Sequence, residues 1–125
     1  MARYLQVRQT RGFTLIELLI VIVIIGVIAS IAIPSYRDYV DRGRRADGQS
    51  ALMNAAQQME RCYTRNNTYA GCDVGGPSPE GFYVIELTAG GGTTFLLSAS
   101  SGQVRAPCNG LTINERGVRT PGECW

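Results

Sequence analysis

The residues of this sequence best suited to covalent or metal chemistry are four cysteines, all in its C-terminal part: Cys62, Cys72, Cys108 and Cys124. An even number of cysteines in a small domain outside the cytoplasm is typical of two disulfide bonds. Four cysteines allow three pairings. We favour Cys62–Cys72 with Cys108–Cys124, because each bond closes a short loop flanked by turn residues. Zinc is the alternative, but the chain lacks histidine and neither pair has the close spacing of a zinc knuckle.

The absence of histidine also narrows the catalytic chemistry that the chain could carry out. Without histidine there is no histidine-based triad and no histidine metal site. Cys62 and Cys72 do not form the C-x-x-C pattern of a redox enzyme. The sequence therefore predicts a protein that is not an enzyme and that holds no cofactor or metal.

Three arginines, Arg42, Arg44 and Arg45, are the residues best spaced to contact the phosphates of DNA. Acidic residues such as Asp38 and Asp41 lie among them, which favours a solvated or intersubunit ion-pair face instead. After residue 12 the chain carries nine arginines and ten acidic residues. Such a balance provides no strong electrostatic argument for a nucleic-acid partner.

Glu17 is the only charged residue in the apolar run from Phe13 to Ile33. As a helix this run would be roughly 31 Å long, about the thickness of the hydrocarbon core of a bilayer. An acidic side chain at that depth costs on the order of 2.5–3.5 kcal/mol on insertion scales. Such a residue usually has a partner and a function.

The segment before the apolar run is basic and orients the run in a membrane. Arg3, Arg8 and Arg11 lie within residues 1–12, and no acidic residue accompanies them. By the positive-inside rule this segment stays in the cytoplasm and the C-terminal part lies on the other side of the membrane. A secretory signal would carry its cleavage site after the apolar core. Here Gly12 directly precedes that core.

The order from Gly12 through Phe13 to Glu17, GFTLIE, followed by a long apolar helix, resembles the prepilin signature of the type IV filament family. The resemblance implies cleavage between Gly12 and Phe13 by a membrane-embedded prepilin peptidase, with methylation of the new Phe13 amine. It also implies that Glu17 pairs with the Phe13 amine of a neighbouring subunit in the filament, which sets axial register. A plain membrane anchor with an incidental glutamate is the alternative.

The element that positions these residues is one long helix. Its first part, residues 13–34, contains Gly26 and Pro34, and the proline predicts a kink. The resemblance implies that helical structure between these two positions can be lost in filaments. Residues 35–66 continue as an amphipathic helix. Its apolar residues recur at three- and four-residue spacing: Leu52, Ala55, Met59 and Cys62.

The remainder of the chain predicts an antiparallel sheet on that helix. Residues 67–81 are dense in Asn, Gly, Pro and Ser and predict an irregular loop. Alternation and turn residues then predict four strands. The strands are expected at 82–87, 93–100, 111–114 and 118–120, so that the sheet spans 82–120 and a disulfide closes the loop 108–124.

The fold is thus predicted as α+β, a pilin fold with a helical spine on a four-stranded antiparallel sheet. The exported domain is 35–125, and the phrases CYTRNNTYAGC and CNGLTINERGVRTPGECW are most similar to PilE-like minor pilins. The resemblance implies a type IV pilus subunit that contacts other pilins, the prepilin peptidase and the inner-membrane assembly platform. It would lie in the inner membrane, with a periplasmic C-terminus, and then in an extracellular pilus. A minor pilin is preferred; a major pilin, a type II secretion pseudopilin and a DNA-receptor competence pilin are the alternatives.

Overall fold

The computed structural model describes residues 12–125. Most of the predicted cytoplasmic leader, with its three arginines, lies outside the described residues. One α-helix, α1, runs from Leu15 to Asn66. The chain divides between Tyr36 and Arg37 into two compact units, the first formed by the N-terminal part of α1 and the second by its C-terminal part with the sheet.

The N-terminal unit begins with a capped helix end. The backbone N–H of Glu17 donates to the Thr14 hydroxyl at 3.2 Å, and the Leu18 N–H donates to the Thr14 carbonyl at 3.2 Å. A threonine followed three residues later by a glutamate is a pattern that starts helices, because the hydroxyl satisfies an amide that has no partner within the helix. The helix therefore begins two residues after Phe13.

Helical structure continues through both Gly26 and Pro34. The Ser30 hydroxyl donates to the Val27 carbonyl one turn back, at 2.7 Å. The kink at these positions and the loss of helix on assembly stay predictions.

In the C-terminal unit, α1 buries one stripe of residues. Leu52 and Met59 are fully buried, and Ala55 between them is almost so. Asn54, Gln57, Gln58 and Arg61 lie on the exposed side. Residues at three- and four-residue spacing share one face of a helix. The prediction that these apolar residues face the core is therefore confirmed.

The sheet has five antiparallel strands in the order β1-β2-β3-β4-β5, so the prediction of four strands is corrected. The strands are β1 Gly76–Pro77, β2 Val84–Gly90, β3 Phe95–Ser100, β4 Gly110–Asn114 and β5 Arg119–Thr120. The additional strand, β1, lies inside the predicted loop 67–81 and pairs with Val84 and Ile85 of β2. A strand of two residues is too short to show the alternation that predicts a strand. One of the two residues of β1 is a proline, which lacks an N–H and therefore fits only at the edge of a sheet.

The core lies between the sheet and the buried stripe of α1. Alternate residues of the strands point inward: Ile85 of β2, Leu97 and Ala99 of β3, and Leu111 and Ile113 of β4. Beside them Tyr69 packs between two other rings, with centroids 4.5 Å from Tyr63 and 4.9 Å from Phe95.

Two disulfide bonds close loops in the C-terminal unit. Cys62 of α1 is bonded to Cys72, and Cys108 before β4 is bonded to Cys124 in the short 3-10 helix Gly122–Cys124. These are the two pairs that the short loop spacing favoured. In a core of this size each bond stabilises the fold chiefly by restricting the unfolded chain.

Candidate functional site

Gly12 and Phe13 lie in a non-helical, exposed segment immediately before α1. Phe13 is 85% exposed, so the peptide bond between the two residues is not enclosed by the fold. The Thr14 cap ends this segment and fixes where the helix starts. Thr14 was not among the sequence-predicted site residues, although the T-x-x-E spacing to Glu17 is a known helix-start signal. The arrangement leaves Gly12 and Phe13 exposed and outside the helix.

Glu17 lies in the first turn of α1, where its side chain is exposed. A carboxylate at this position is favoured by the partial positive charge of the helix N-terminus. Glu17 lies four positions after Phe13, which itself precedes the start of α1. Among the described residues Glu17 makes no ion pair.

The helix beyond Glu17 exposes apolar side chains on every side. Large aliphatic residues from Leu15 to Ile33 are all between 46% and 81% exposed. The most apolar 18-residue window of α1 has a mean hydropathy of 3.1, and none of it is buried within the chain. By length and composition this helix could cross a membrane. A helix that is apolar all round needs lipid or other helices around it.

The three arginines proposed as a DNA contact lie on the first turns of α1 in the C-terminal unit. Two of them are half-buried and bound within the domain. Arg44 donates from Nη1 to the Gln103 carbonyl at 2.9 Å and lies over the Phe82 ring, 5.1 Å from its centroid. Arg45 donates from Nη1 to the sulfur of Cys108 at 3.6 Å. These contacts tie α1 to loops of the sheet.

Arg42 differs from its two neighbours because it is exposed and binds only its own helix, donating to the Asp38 carbonyl at 3.3 Å. Close by, Arg105 forms an ion pair of 2.9 Å with Asp41. Arg42, Arg45 and Arg105 line an open groove of about 530 Å³ together with two aspartates, Asp38 and Asp41. The groove therefore carries a small excess of positive charge.

Asp47 is a buried carboxylate that the sequence analysis did not assign to a site. Its oxygens accept hydrogen bonds from the Ser78 hydroxyl and from the amides of Glu80 and Phe82, at 3.0 and 3.3 Å for the amides. It organises the loop that leads into β2. Within residues 12–125 no group of three or more His, Cys, Asp or Glu side chains is placed to hold a metal ion.

Comparison with protein-family models matches two parts of the chain. Residues 7–33 match the model of the prokaryotic N-terminal methylation motif. Residues 34–112 match the model described as type IV minor pilin ComP, DNA uptake sequence receptor. The first match spans the predicted cleavage position and the apolar helix, and the second spans most of the C-terminal unit.

Among curated proteins, the chain is similar to the type IV major pilin protein PilE1 of Neisseria gonorrhoeae, with 36% identity over 118 residues. That alignment covers 90% of this chain and 65% of the relative. A type IV major fimbrial protein FimA of Dichelobacter nodosus is 58% identical over 40 residues, 32% of this chain and 25% of the relative. The chain spans 59–65% of the length of the first curated relatives that it matches.

Among solved structures, a type IV pilin from Shewanella oneidensis matches with 35% identity and a TM-score of 0.55, covering 68% of this chain and 97% of that one. The non-core minor pilin PilV of Neisseria meningitidis matches with 21% identity and a TM-score of 0.51, over 65% of this chain and 85% of that one. The second likeness concerns the fold alone.

Proposed function

The chain belongs to the type IV pilin family, and from that premise we propose that it is a minor pilin that promotes assembly of a type IV pilus. The family consists of structural subunits rather than enzymes. Membership makes the chain a pilus subunit; the minor role is the proposal. The observation that carries it is the match of residues 34–112 to a minor-pilin model.

The proposed path to the filament begins at the exposed peptide between Gly12 and Phe13. Prepilin peptidase cleaves this bond, and the Phe13 amine becomes a methylated N-terminus. Before assembly the apolar helix holds the subunit in the inner membrane, with the C-terminal unit in the periplasm. The exposed segment before α1 and the hydropathy of the helix support this order.

Assembly would then transfer the apolar helix from lipid to a bundle of pilin helices. Inside that bundle Glu17 pairs with the Phe13 amine of a neighbouring subunit. Opposite charges attract strongly where the effective dielectric constant is low, and an unpaired charge there is costly. The pairing therefore favours one axial register between subunits. The assembly platform of the inner membrane and other pilins are the partners in this step.

Quantitative mass spectrometry of pili sheared from cells that express this chain tests the minor role. We expect an N-methylated peptide that begins at Phe13, and a chain present at a trace beside a dominant pilin. A chain that dominates the filament would instead be a major pilin. Absence from surface filaments, with retention in the envelope, would support a type II secretion pseudopilin.

The role of Glu17 is tested in the same cells. Glu17→Gln keeps the size and hydrogen-bonding ability of the side chain but removes its charge. We expect a processed N-terminus beginning at Phe13 and loss of the subunit from sheared pili. Glu86→Gln, an exposed change on β2, is the matched control and should leave incorporation normal. Normal incorporation of Glu17→Gln would contradict the charge pairing.

A DNA receptor is the second candidate, because the matched minor-pilin model is described as a DNA uptake sequence receptor. Of the three arginines considered for this contact, Arg42 is the one exposed to solvent. Arg105 is exposed across the same groove, although its guanidinium is paired with Asp41. Arg44 and Arg45 hold the domain together and are less available to phosphates.

Binding of the purified full chain in detergent micelles to duplex DNA tests this candidate. Arg42→Gln is expected to weaken binding for every sequence and to reduce the slope of log affinity against log salt by about one. Arg116→Gln, an exposed change at the β4–β5 hairpin, is the control. Equal salt slopes for the two variants would mean that Arg42 does not contact a DNA phosphate.

A further inference from the structure

Both cysteines of the Cys108–Cys124 disulfide are buried, but only one of them borders a groove. Cys108 lines the open groove between α1 and residues 104–108, the groove of about 530 Å³ described above. Cys124 is 2% exposed, and it does not line that groove. Cys108 is 7% exposed, and it is the cysteine of this pair that a reagent in the groove approaches first.

Arg45 makes the environment of this sulfur electropositive. Its Nη1 lies 3.6 Å from the Cys108 sulfur, and the arginine is itself half-buried beneath the groove. Arg42 and Arg105 add positive charge, whereas Asp38 and Asp41 oppose it. Arg105 and Asp41 pair with each other, at 2.9 Å. A guanidinium beside a cysteine favours the thiolate, which is the reactive form of the side chain.

Both cysteines are positioned by contacts that do not depend on the bond between them. The Tyr83 hydroxyl donates to the Cys108 carbonyl. The Gln49 side-chain amide donates to the Cys124 carbonyl at 2.6 Å. The two donors come from different parts of the fold, Tyr83 directly before β2 and Gln49 in α1. Both hydrogen bonds go to backbone carbonyls rather than to sulfur atoms, so reduction of the disulfide leaves their donors and acceptors intact.

The other disulfide lacks a charged donor at its sulfur. The amide of Asn66 donates to the Cys62 sulfur at 3.3 Å, and this donor is neutral. Arg61 and Arg65 line the groove beside that bond, but in the part of the chain that the structure describes neither donates to a sulfur. The direct guanidinium contact distinguishes Cys108.

We propose that Cys108 is the thiol–disulfide exchange site of this protein, with Arg45 as its positioning residue and a disulfide-bearing oxidant as its partner. The Cys108 thiolate attacks a sulfur of the oxidant's disulfide, forms a mixed disulfide and releases one oxidant thiolate. The Cys124 thiol then loses its proton to solvent and attacks the Cys108 sulfur. This step forms the Cys108–Cys124 bond and expels the second oxidant thiolate, so the oxidant gains both electrons.

Alkylation of the reduced full chain in detergent micelles tests the proposal. Tryptic cleavage places each cysteine on its own peptide, within 62–65, 66–105, 106–116 and 120–125, so mass spectrometry follows them separately. With iodoacetamide pulses across a pH series, we expect the half-maximal rate of Cys108 to fall about one pH unit below the ordinary cysteine value of about 8.5. Cys108 with an ordinary midpoint in the wild-type chain would overturn the proposal.

Substitutions of arginines in the groove distinguish the effect of the direct Arg45 contact from the effect of the groove's overall positive charge. Arg45→Gln is expected to raise the Cys108 midpoint by about one unit and to slow its reaction near pH 6.5 about threefold, because a tenfold loss of thiolate is partly offset by higher nucleophilicity. Arg45→Lys should restore most of the shift. Arg42→Gln, in the same groove without a contact to the sulfur, should change the midpoint less. An equal effect of Arg42→Gln would overturn the role of Arg45.

Trapping with oxidised glutathione identifies the sulfur that exchanges first. In Cys124→Ser the mixed disulfide should accumulate on Cys108, because no resolving thiol remains. In Cys108→Ser, Cys124 should form the adduct at least several-fold more slowly at neutral pH. Equal rates for the two variants would contradict the assignment of Cys108 as the exchange site, even where one variant folds less well.

Discussion

The Oδ1 atom of Asp47 accepts a hydrogen bond from the backbone N–H of Glu80 at 3.0 Å and so joins two residues 33 positions apart. The other carboxylate oxygen accepts from the Ser78 hydroxyl and from the Phe82 amide. Ser78 in turn accepts from the Tyr83 amide at 3.0 Å. One buried side chain of α1 therefore holds the loop that aligns β1 with β2.

Asp47→Ala is expected to lower the free energy of unfolding by about 2–4 kcal/mol. The change leaves one buried hydroxyl and two partly buried amides without their acceptor. A buried polar group without a partner costs about 1–3 kcal/mol, and the amides cost less because water reaches them. Urea unfolding of the full chain in micelles, followed by fluorescence of its single tryptophan, measures this. Asp38→Ala, an exposed change on the same helix, should cost less than about 0.5 kcal/mol. Equal losses would mean that Asp47 does not organise the loop.

Gly48→Ala is expected to destabilise the fold by about 1–3 kcal/mol, because a buried methyl group would overpack the core. A Cβ at position 48 would lie 2.7–2.9 Å from ring atoms of Tyr83. Gly43→Ala is the matched control on the same helix, with no atom within 4 Å of its Cβ. That change should stabilise by about 0.5–1 kcal/mol, since alanine has the higher helix propensity. In urea unfolding, the two substitutions are expected to change the free energy of unfolding in opposite directions. A Gly48→Ala variant as stable as the wild type would contradict the close contact with Tyr83.

Tyr69 is expected to ionise only in strong alkali. Burial, followed by its hydrogen bond to Glu60 at 2.7 Å, raises the pKa of Tyr69 from 10.0 to about 12. The folded-state pKa lies above the unfolded one, so the associated stability is present below pH 10 and is lost as pH rises towards 12. The absorbance of tyrosinate is titrated with pH in the wild-type protein and in Tyr69→Phe, and the difference between the two curves gives the ionisation of Tyr69. In Glu60→Gln the Tyr69 transition should move to lower pH; an unchanged transition would exclude Glu60 as a cause.

The two disulfides are expected to contribute similar stability. They close loops with sequence separations of 10 for Cys62–Cys72 and 16 for Cys108–Cys124. The chain-entropy model gives roughly 3 kcal/mol for the longer loop and slightly less for the shorter. Replacement of each pair by alanine, with urea unfolding under identical conditions, measures both values. A difference above about 2 kcal/mol between the pairs would show that native contacts, rather than loop closure, dominate.

The N-terminal part of the protein could be predicted from residue order, because its properties are local. The apolar run, the single acid Glu17 and the Gly12–Phe13 junction are adjacent in the chain, and a helix converts their spacing directly into geometry. The stripe that contains Leu52, Ala55 and Met59 follows from the same periodicity. The cysteine pairs were also favoured from their spacing, since short loops are the least demanding to close.

Other features were decided only by tertiary structure. Strand β1 is two residues long and shows no alternation of apolar and polar residues. It forms because its backbone pairs with β2. From sequence, Arg44 and Arg45 were assigned to an ion-pair face, with a phosphate contact as the alternative. The structure instead places a carbonyl and a ring beside Arg44 and a sulfur beside Arg45.

Asp47 and Gly48 depend in the same way on residues more than thirty positions away, namely the loop before β2 and the ring of Tyr83. Helical periodicity reports which residues share a face, but it carries no information about what approaches that face. Local order in the sequence thus determined the apolar helix and the N-terminal methylation motif at its start, whereas long-range packing determined which polar side chains are held inside the domain.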